Sequence, residues 1–257
     1  MTQPCPEPNR ETAGRGVRRV TLRACRRATV AVEFALIMPV MVTATLGVVD
    51  TCRAVIAWQQ LTSTAQAVAE IATAEASTPN AQGNYQLSDF QVQAATTAIY
   101  AYMPALNTGG NDSSPFSVTL SSVAFTTTAT ANCAANSACV AWSVVGSFAA
   151  SEAASFHGVE LSTLQERQCG ALTQVAAGTS PSLATLPTAG LTGLSSLIVA
   201  DVQYTFSPLF LKFITGPISM FRSAYLPTRV GSATMYVQYL PPTGATGDVF
   251  VSCPGYP

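Results

Sequence analysis

Charge is scarce in this chain. Only 10% of its 257 residues are Asp, Glu, Lys or Arg. Histidine is scarcer still. The single one, His157, lies in Ala/Ser-rich sequence. Ser155 is close to it along the chain, but closeness in sequence does not make a catalytic triad. No Walker A loop, dinucleotide fingerprint or zinc-protease helix is present. The cysteines lack the two-residue clips of zinc sites. These absences argue against an enzyme, and no metal or cofactor is expected. Disorder throughout is also excluded, because aromatic and β-branched residues recur in clusters. What remains is rich in Ala, Ser, Thr and Gly, a balance typical of secreted or surface bacterial proteins.

The few charges are sharply segregated. Residues 1–28 hold seven Arg and two Glu, a net of +5, and the remainder carries a net of −6. Directly after the arginines comes a 21-residue apolar run, Thr29 to Val49. A run of this length spans a bilayer as a helix. Positive flanks stay on the cytoplasmic side, so the long C-terminal part is expected to be exported. The arginine cluster therefore reads as a topology signal, and no nucleic-acid partner is expected.

Glu33 is the only charge within the apolar run. An intramembrane carboxylate is costly and usually has a role. A cut between Ala28 and Thr29 would place Glu33 fifth from a new N-terminus. There the α-amino group of an adjacent identical subunit can pair with it. The stretch "RRATVAVEFALIMPVMVTATLGVVDTCR" resembles the class III signal of type IV pilins and pseudopilins. Its "AVEFAL", the Pro shortly after, and the Gly followed by an acidic residue and an Arg resemble the TadE/TadG family. That family comprises minor pilin-like proteins of the tight-adherence (Flp) pilus system. A second stretch, "DVQYTFSPLF" followed by "SMFRSAYLPTR", is similar to the C-terminal half of the same pattern. The resemblance thus rests on residues 26–53 and 199–229. It implies a leader cut after Ala28 by a prepilin-type peptidase, a mature start at Thr29, and Glu33 and Phe34 as assembly residues. It also implies other pilin or pseudopilin subunits as partners. Some family members carry a von Willebrand-type metal-binding insertion, but no Asp-x-Ser-x-Ser run occurs here. Two other readings of the apolar run stay open. It can serve as a plain signal anchor, or "VTA" at 42–44 can be an ordinary signal-peptidase site.

Seven cysteines are present. Cys5 and Cys25 fall in the leader and Cys52 at the outer edge of the span. Cys133, Cys139, Cys169 and Cys253 fall in the exported part. These four allow three disulfide pairings, and sequence alone does not choose among them. The preferred arrangement closes the short loop "CAANSAC" with Cys133–Cys139 and ties the C-terminal tail with Cys169–Cys253.

The pattern predicts one long helix over 29–76, about 70 Å long at 1.5 Å per residue. Beyond the span, Trp58, Leu61, Ala65, Val68 and Ala72 recur every three or four residues as one apolar stripe. A second helix is predicted over Asp89–Tyr102, opened by a capping box of Ser88 and Gln91. Its apolar face is read as Phe90, Ala94, Ala98, Ile99 and Tyr102. Residues 107–115 read as a loop. Strands are predicted from Phe116, from Cys139, over "SLIVADVQYTFSP", and over Ile218–Tyr225. The aromatics of 199–225 read as core. A short helix is placed at Val159–Gln168, and "AAGTSPSLATLPTAGLTG" is read as loop. The apolar "LFLKFITGP" is read as a buried loop or short helix; a second membrane span is the lesser reading.

The expected fold class is α+β. A long N-terminal pilin-like helix, transmembrane in its first half, would carry an extracytoplasmic domain with a small, mostly antiparallel sheet. The expected divisions are 1–28 (cleaved leader), 29–50 (span), 51–78 (helix extension) and 81–257 (domain). The chain would sit in the bacterial inner membrane as a single-pass protein, N-terminus cytoplasmic and domain periplasmic. The expected function is that of a pseudopilin-like protein supporting an adhesive type IVb pilus. The alternative is a secreted or anchored adhesin that uses the apolar segment only for export.

Overall fold

A computed structural model describes residues 26–76, 79, 85–97, 99–103, 116–126, 129, 133–147, 167–176, 182–187, 196–210, 216–228, 236–240 and 250–253. The fold is α+β, a long apolar N-terminal helix followed by a domain with a small antiparallel sheet and further helix. By its internal contacts the chain divides into two units, Met1–Leu46 and Gly47–Pro257.

Helix α1 runs from Arg26 to Glu75, 50 residues that include Pro39. Its sequence is dense in Ala, which favours helix, and contains Gly only at position 47. Pro39 removes one backbone donor without ending the helix. Threonine hydroxyls along α1 donate back to carbonyls four residues earlier, Thr45 to Met41 and Thr51 to Gly47, each at 2.8 Å. They are thereby satisfied without water.

After α1 come β1 (Gln86–Ser88), α2 (Asp89–Thr97) and α3 (Ile99–Tyr102). The capping box is present. The Ser88 amide donates to Gln91 Oε1 at 2.8 Å, and the Gln91 amide approaches Ser88 Oγ at 3.4 Å. The inward face of α2 and α3 differs from the one predicted. Ile99 is buried as predicted, but Val92, Ala95 and Met103 join it, Phe90, Ala94 and Tyr102 are exposed, and Ala98 lies outside the described residues. β1, just before the helix, buries Leu87, and Val92 and Ala95 bury with it.

Four long strands make the sheet: β2 (Phe116–Thr126), β3 (Ser137–Ser147), β6 (Ser196–Phe206) and β7 (Ile218–Pro227). The described residues hold five short strands as well: β4 (Thr173–Val175), β5 (Thr185–Pro187), β8 (Gln238–Leu240), β9 (Phe250–Ser252) and the β1 already named. The five-stranded order is β7-β6-β2-β3-β9, antiparallel at every pairing. Two small parallel pairs, β1-β8 and β4-β5, lie outside it. β5 falls within the stretch read as loop, a correction that three-residue strands explain, because they show no periodicity. Of the helix expected at Val159–Gln168, Arg167 and Gln168 are irregular and the rest lies outside the described residues.

Period-two alternation sorts the sheet residues into two faces. One face presents Val118, Leu120, Ile198, Ala200, Val202, Phe206 and Ala224, all buried. They share a single core cluster with Ala57, Leu61, Ala65, Val68, Ala69 and Ala72 of α1. Most of the predicted α1 stripe is therefore core, but Trp58 is exposed and Ala57 takes the buried place.

The other face is also buried but mixed: Val145, Leu197 and Val199 share it with Thr119, Ser121, Ser143 and Asp201, the last four each 2% exposed or less. Arg167 lies over it, fully buried. Its Nε donates to Asp201 Oδ2 at 2.7 Å and its Nη2 to Oδ1 at 2.9 Å. Nη1 donates to the carbonyls of Leu183 and Thr185 at 2.9 and 3.1 Å. Ser223 donates to Asp201, and the Arg167 amide donates to Ser143 Oγ. Burial, the largest single influence, lowers the Arg167 pKa, but the charge and hydrogen bonds of Asp201 and Tyr225 together outweigh it, so the net shift is upward. The guanidinium therefore stays charged beneath the 183–185 segment.

Cys133 is joined to Cys139 and Cys169 to Cys253. Asn136 turns the first loop with a φ of 59°, a conformation Asn tolerates. The second bridge ties together two segments that pair beside β3. The Leu172 amide donates to Ala138 O at 2.9 Å, and the Cys253 amide to Ala141 O at 3.0 Å.

The two bridges should differ in weight. They close sequence separations of 6 and 84 residues, for which loop-closure entropy gives about 2 and about 4.5 kcal/mol. Replacing Cys169 and Cys253 by Ser should therefore lower the thermal midpoint more than replacing Cys133 and Cys139, as read by calorimetry. The ion pair gives a second expectation. Arg167→Met or Asp201→Ala alone should each cost about 3–5 kcal/mol, and the two together less than their sum. Chemical denaturation of the four proteins of this cycle measures the coupling.

Candidate functional site

The described residues place the predicted site residues along the start of α1. Ala28 and Thr29 lie near its N-terminal end. Glu33 is exposed, with no ion-pair partner among the described residues. Phe34 is exposed beside it, followed by Leu36, Ile37, Met38, Val40, Met41 and Val42. Large apolar side chains thus surround this stretch of helix. Among the described residues it is also the only helix long and apolar enough to cross a membrane. The leader before Arg26 lies outside the described residues, as does His157. No cluster of three metal-ligating side chains occurs among the described residues.

A second constellation joins the continuation of α1 to the sheet. Asp50 directly follows the apolar run and is 3% exposed. Its two carboxylate oxygens accept the backbone amides of Leu209 and Phe210 at 3.1 and 2.8 Å. Arg53, one turn on, approaches Asp50 at 3.6 Å and sets its guanidinium 5.8 Å from the centre of the Phe206 ring. Burial pushes the Tyr204 hydroxyl above its ordinary pKa, and Arg53 opposes that shift. Further along, the Arg222 guanidinium stacks 3.7 Å from the Trp58 ring centre. This cation–π contact explains why Trp58 leaves the apolar stripe: it covers a charge rather than filling the core.

The junction corrects one expectation. The segment starting at Leu209 was read as a buried loop or short helix. Leu209 and Phe210 are irregular, as a loop is, but exposed rather than buried, because Asp50 holds their amides inward and leaves their side chains outside. Residues 211–215 lie outside the described residues. The sequence signalled Asp50 and Arg53 only as family landmarks; pairing Asp50 with amides 159 and 160 residues away left no local trace.

Asp50→Ala removes both acceptors and leaves two amides to find new partners. It should destabilise the junction by about 1–3 kcal/mol, while Asp50→Asn, which keeps one acceptor, should cost less. Hydrogen exchange at Leu209 and Phe210 reads the difference directly, with faster exchange expected in the alanine variant.

No curated protein and no solved structure matches this chain. A family model described as TadE-like protein matches residues 28–70. That match spans Glu33, Phe34, Asp50, Arg53 and Trp58; the second stretch of the resemblance, 199–229, lies beyond it. The junction nonetheless brings both stretches together, through Asp50 with Leu209 and Phe210, and Trp58 with Arg222. Residues 28–70 of this chain are a TadE-like segment, consistent with a TadE/TadG-like protein of the Tad pilus system.

Proposed function

We propose that this chain is a pseudopilin-like, single-pass membrane protein that supports assembly of an adhesive type IVb (Flp/Tad) pilus. The TadE-like match over an apolar helix with one acidic residue near its start is the observation that carries this reading. The role is structural, not enzymatic. The arginine-rich residues 1–28 act as a cytoplasmic leader, and a prepilin-type peptidase of the inner membrane cuts after Ala28. The exposed face of α1 packs among the helices of other pilin or pseudopilin subunits, and the disulfide-tied domain stands in the periplasm.

Glu33 has a defined task in this scheme. Cutting after Ala28 frees an amine on Thr29, and the amine of one subunit pairs with Glu33 of the next. Within a low-dielectric bundle, losing one member of such a pair leaves the other buried and charged, at a cost of about 3–5 kcal/mol. A bare export anchor would have no use for the carboxylate.

One experiment tests both parts. Wild type and Glu33→Leu are expressed at matched levels, with and without a prepilin-type peptidase. Both should shorten by about 3 kDa when the peptidase is present, the mass of the 28 leader residues. Glu33→Leu should insert normally but reduce pilus number and cross-linking to partner pilins. An unchanged size rejects the leader. Normal piliation in the mutant, beside a clear defect in a full deletion, rejects the pairing role.

A further inference from the structure

The Asp50 junction fixes where two exposed apolar side chains stand. Leu209 is 63% exposed and Phe210 42%. Their backbone amides are clamped by a residue that immediately follows the apolar run. On the helix side of that clamp, Val48 and Val49 are exposed as well. Exposed apolar side chains therefore lie at the level of the clamp both on α1 and on the turn after β6.

Helix length says what covers this patch. At 1.5 Å per residue the 21-residue run is about 31 Å long. The hydrocarbon core of a bilayer is about 30 Å thick. If the run fills that core, Asp50 lies at its outer edge, and so do the amides it holds. Arg53 lies one turn further out with its side chain 46% exposed. That is the depth at which an Arg reaches lipid phosphates while its stem stays in apolar surroundings. An apolar pair at the hydrocarbon edge with a cation just outside it is the arrangement of an interfacial anchor.

We infer that Leu209 and Phe210 form a foot that enters the outer interfacial layer of the bilayer α1 spans, giving the sheet a second point of attachment. Asp50 then does more than join helix to sheet: it sets the depth of the foot. The inference rests on the membrane reading of α1 and adds a contact that reading does not require.

The test uses the full chain in phosphatidylcholine/phosphatidylglycerol vesicles at low protein density. Cys5, Cys25 and Cys52 are replaced by Ser, and an environment-sensitive fluorophore is attached at Leu209→Cys or, as a reference, at Phe90→Cys. Phe90 is 76% exposed, so both substitutions fall on surface positions. Lipids carrying a nitroxide on the headgroup are then added. The Leu209 label should shift to shorter wavelength and lose roughly half its emission or more, as expected for interfacial depth. The Phe90 label should do neither. If the chain fails to float with the vesicles, the membrane reading and the foot both fall. If it floats but the Leu209 label emits as in water and is not quenched, only the foot falls. A shifted but unquenched label whose shift grows with protein density would assign the patch to a neighbouring subunit and equally overturn the inference.

Discussion

Two carboxylate oxygens of Asp50 take up two backbone amides of a turn 159 and 160 residues away. Much of the junction follows from that contact. A buried carboxylate without donors would be expensive, so its position requires that the chain return there. It sets the exit of β6, places Phe206 under Arg53, and lets β7 run back so that Arg222 reaches Trp58. Hydrogen bonds to a carboxylate are among the stronger ones in proteins. Here they hold backbone rather than side chains, so the sequence at 209 and 210 is free to serve the outside.

The polar side of the sheet obeys a different constraint. Ser121, Ser143, Thr119 and Asp201 alternate with core residues and look, from pattern alone, like a solvent face. They are buried because the irregular segment from Arg167 and the β4-β5 pair lie over them. The Arg167–Asp201 pair, with the Ser121–Ser143 and Ser223–Asp201 hydrogen bonds, lies in that interface beside buried Val199 and Leu197. Such a pair adds little net stability over a hydrophobic equivalent, but it tolerates few alternative registers. Its two oxygens and forked donors hold the cover in one position on β6. The Cys169–Cys253 bridge secures the same cover at the β3 edge.

The legible parts of the chain were those with local signals. The long helix, the Ser88–Gln91 cap and the four long strands follow from composition, capping chemistry and alternation. The hidden parts are those decided by distant partners. Trp58 matched the helical stripe by spacing, yet its ring faces Arg222, which no periodicity within α1 reveals. Ile99 matched the predicted face and is buried, but Phe90 and Tyr102, which matched it by hydrophobicity, are exposed, and Val92 and Ala95 are buried in their place. Arg167 was read as part of a short helix at Val159–Gln168 but is irregular, held by Asp201, which sits in the clearest strand of all. At Glu33 the sequence offered chemistry without a partner, and the described residues supply none.

Side-chain size changes sharply along α1, and this ties the candidate site to the fold. From Phe34 to Val42 the helix exposes bulky residues such as Leu36, Ile37, Met38 and Met41. From Ala57 onward its buried residues are mostly alanine, with Leu61 and Val68 between them. Bulky apolar surface suits a surrounding of lipid tails or other helices, where dispersion contacts come from outside the chain. Alanine suits close approach to a sheet whose own residues supply the volume. Thr64 and Thr73 fit the dry second stretch because their hydroxyls bond to Gln60 O at 2.7 Å and Ala69 O at 2.9 Å. A single helix thus carries two different packing surfaces in succession. The change falls around Asp50 and Arg53, where the only charges between Glu33 and Glu70 occur. Charge is tolerated there because each group has a protein partner, whereas Glu33 has no ion-pair partner among the described residues.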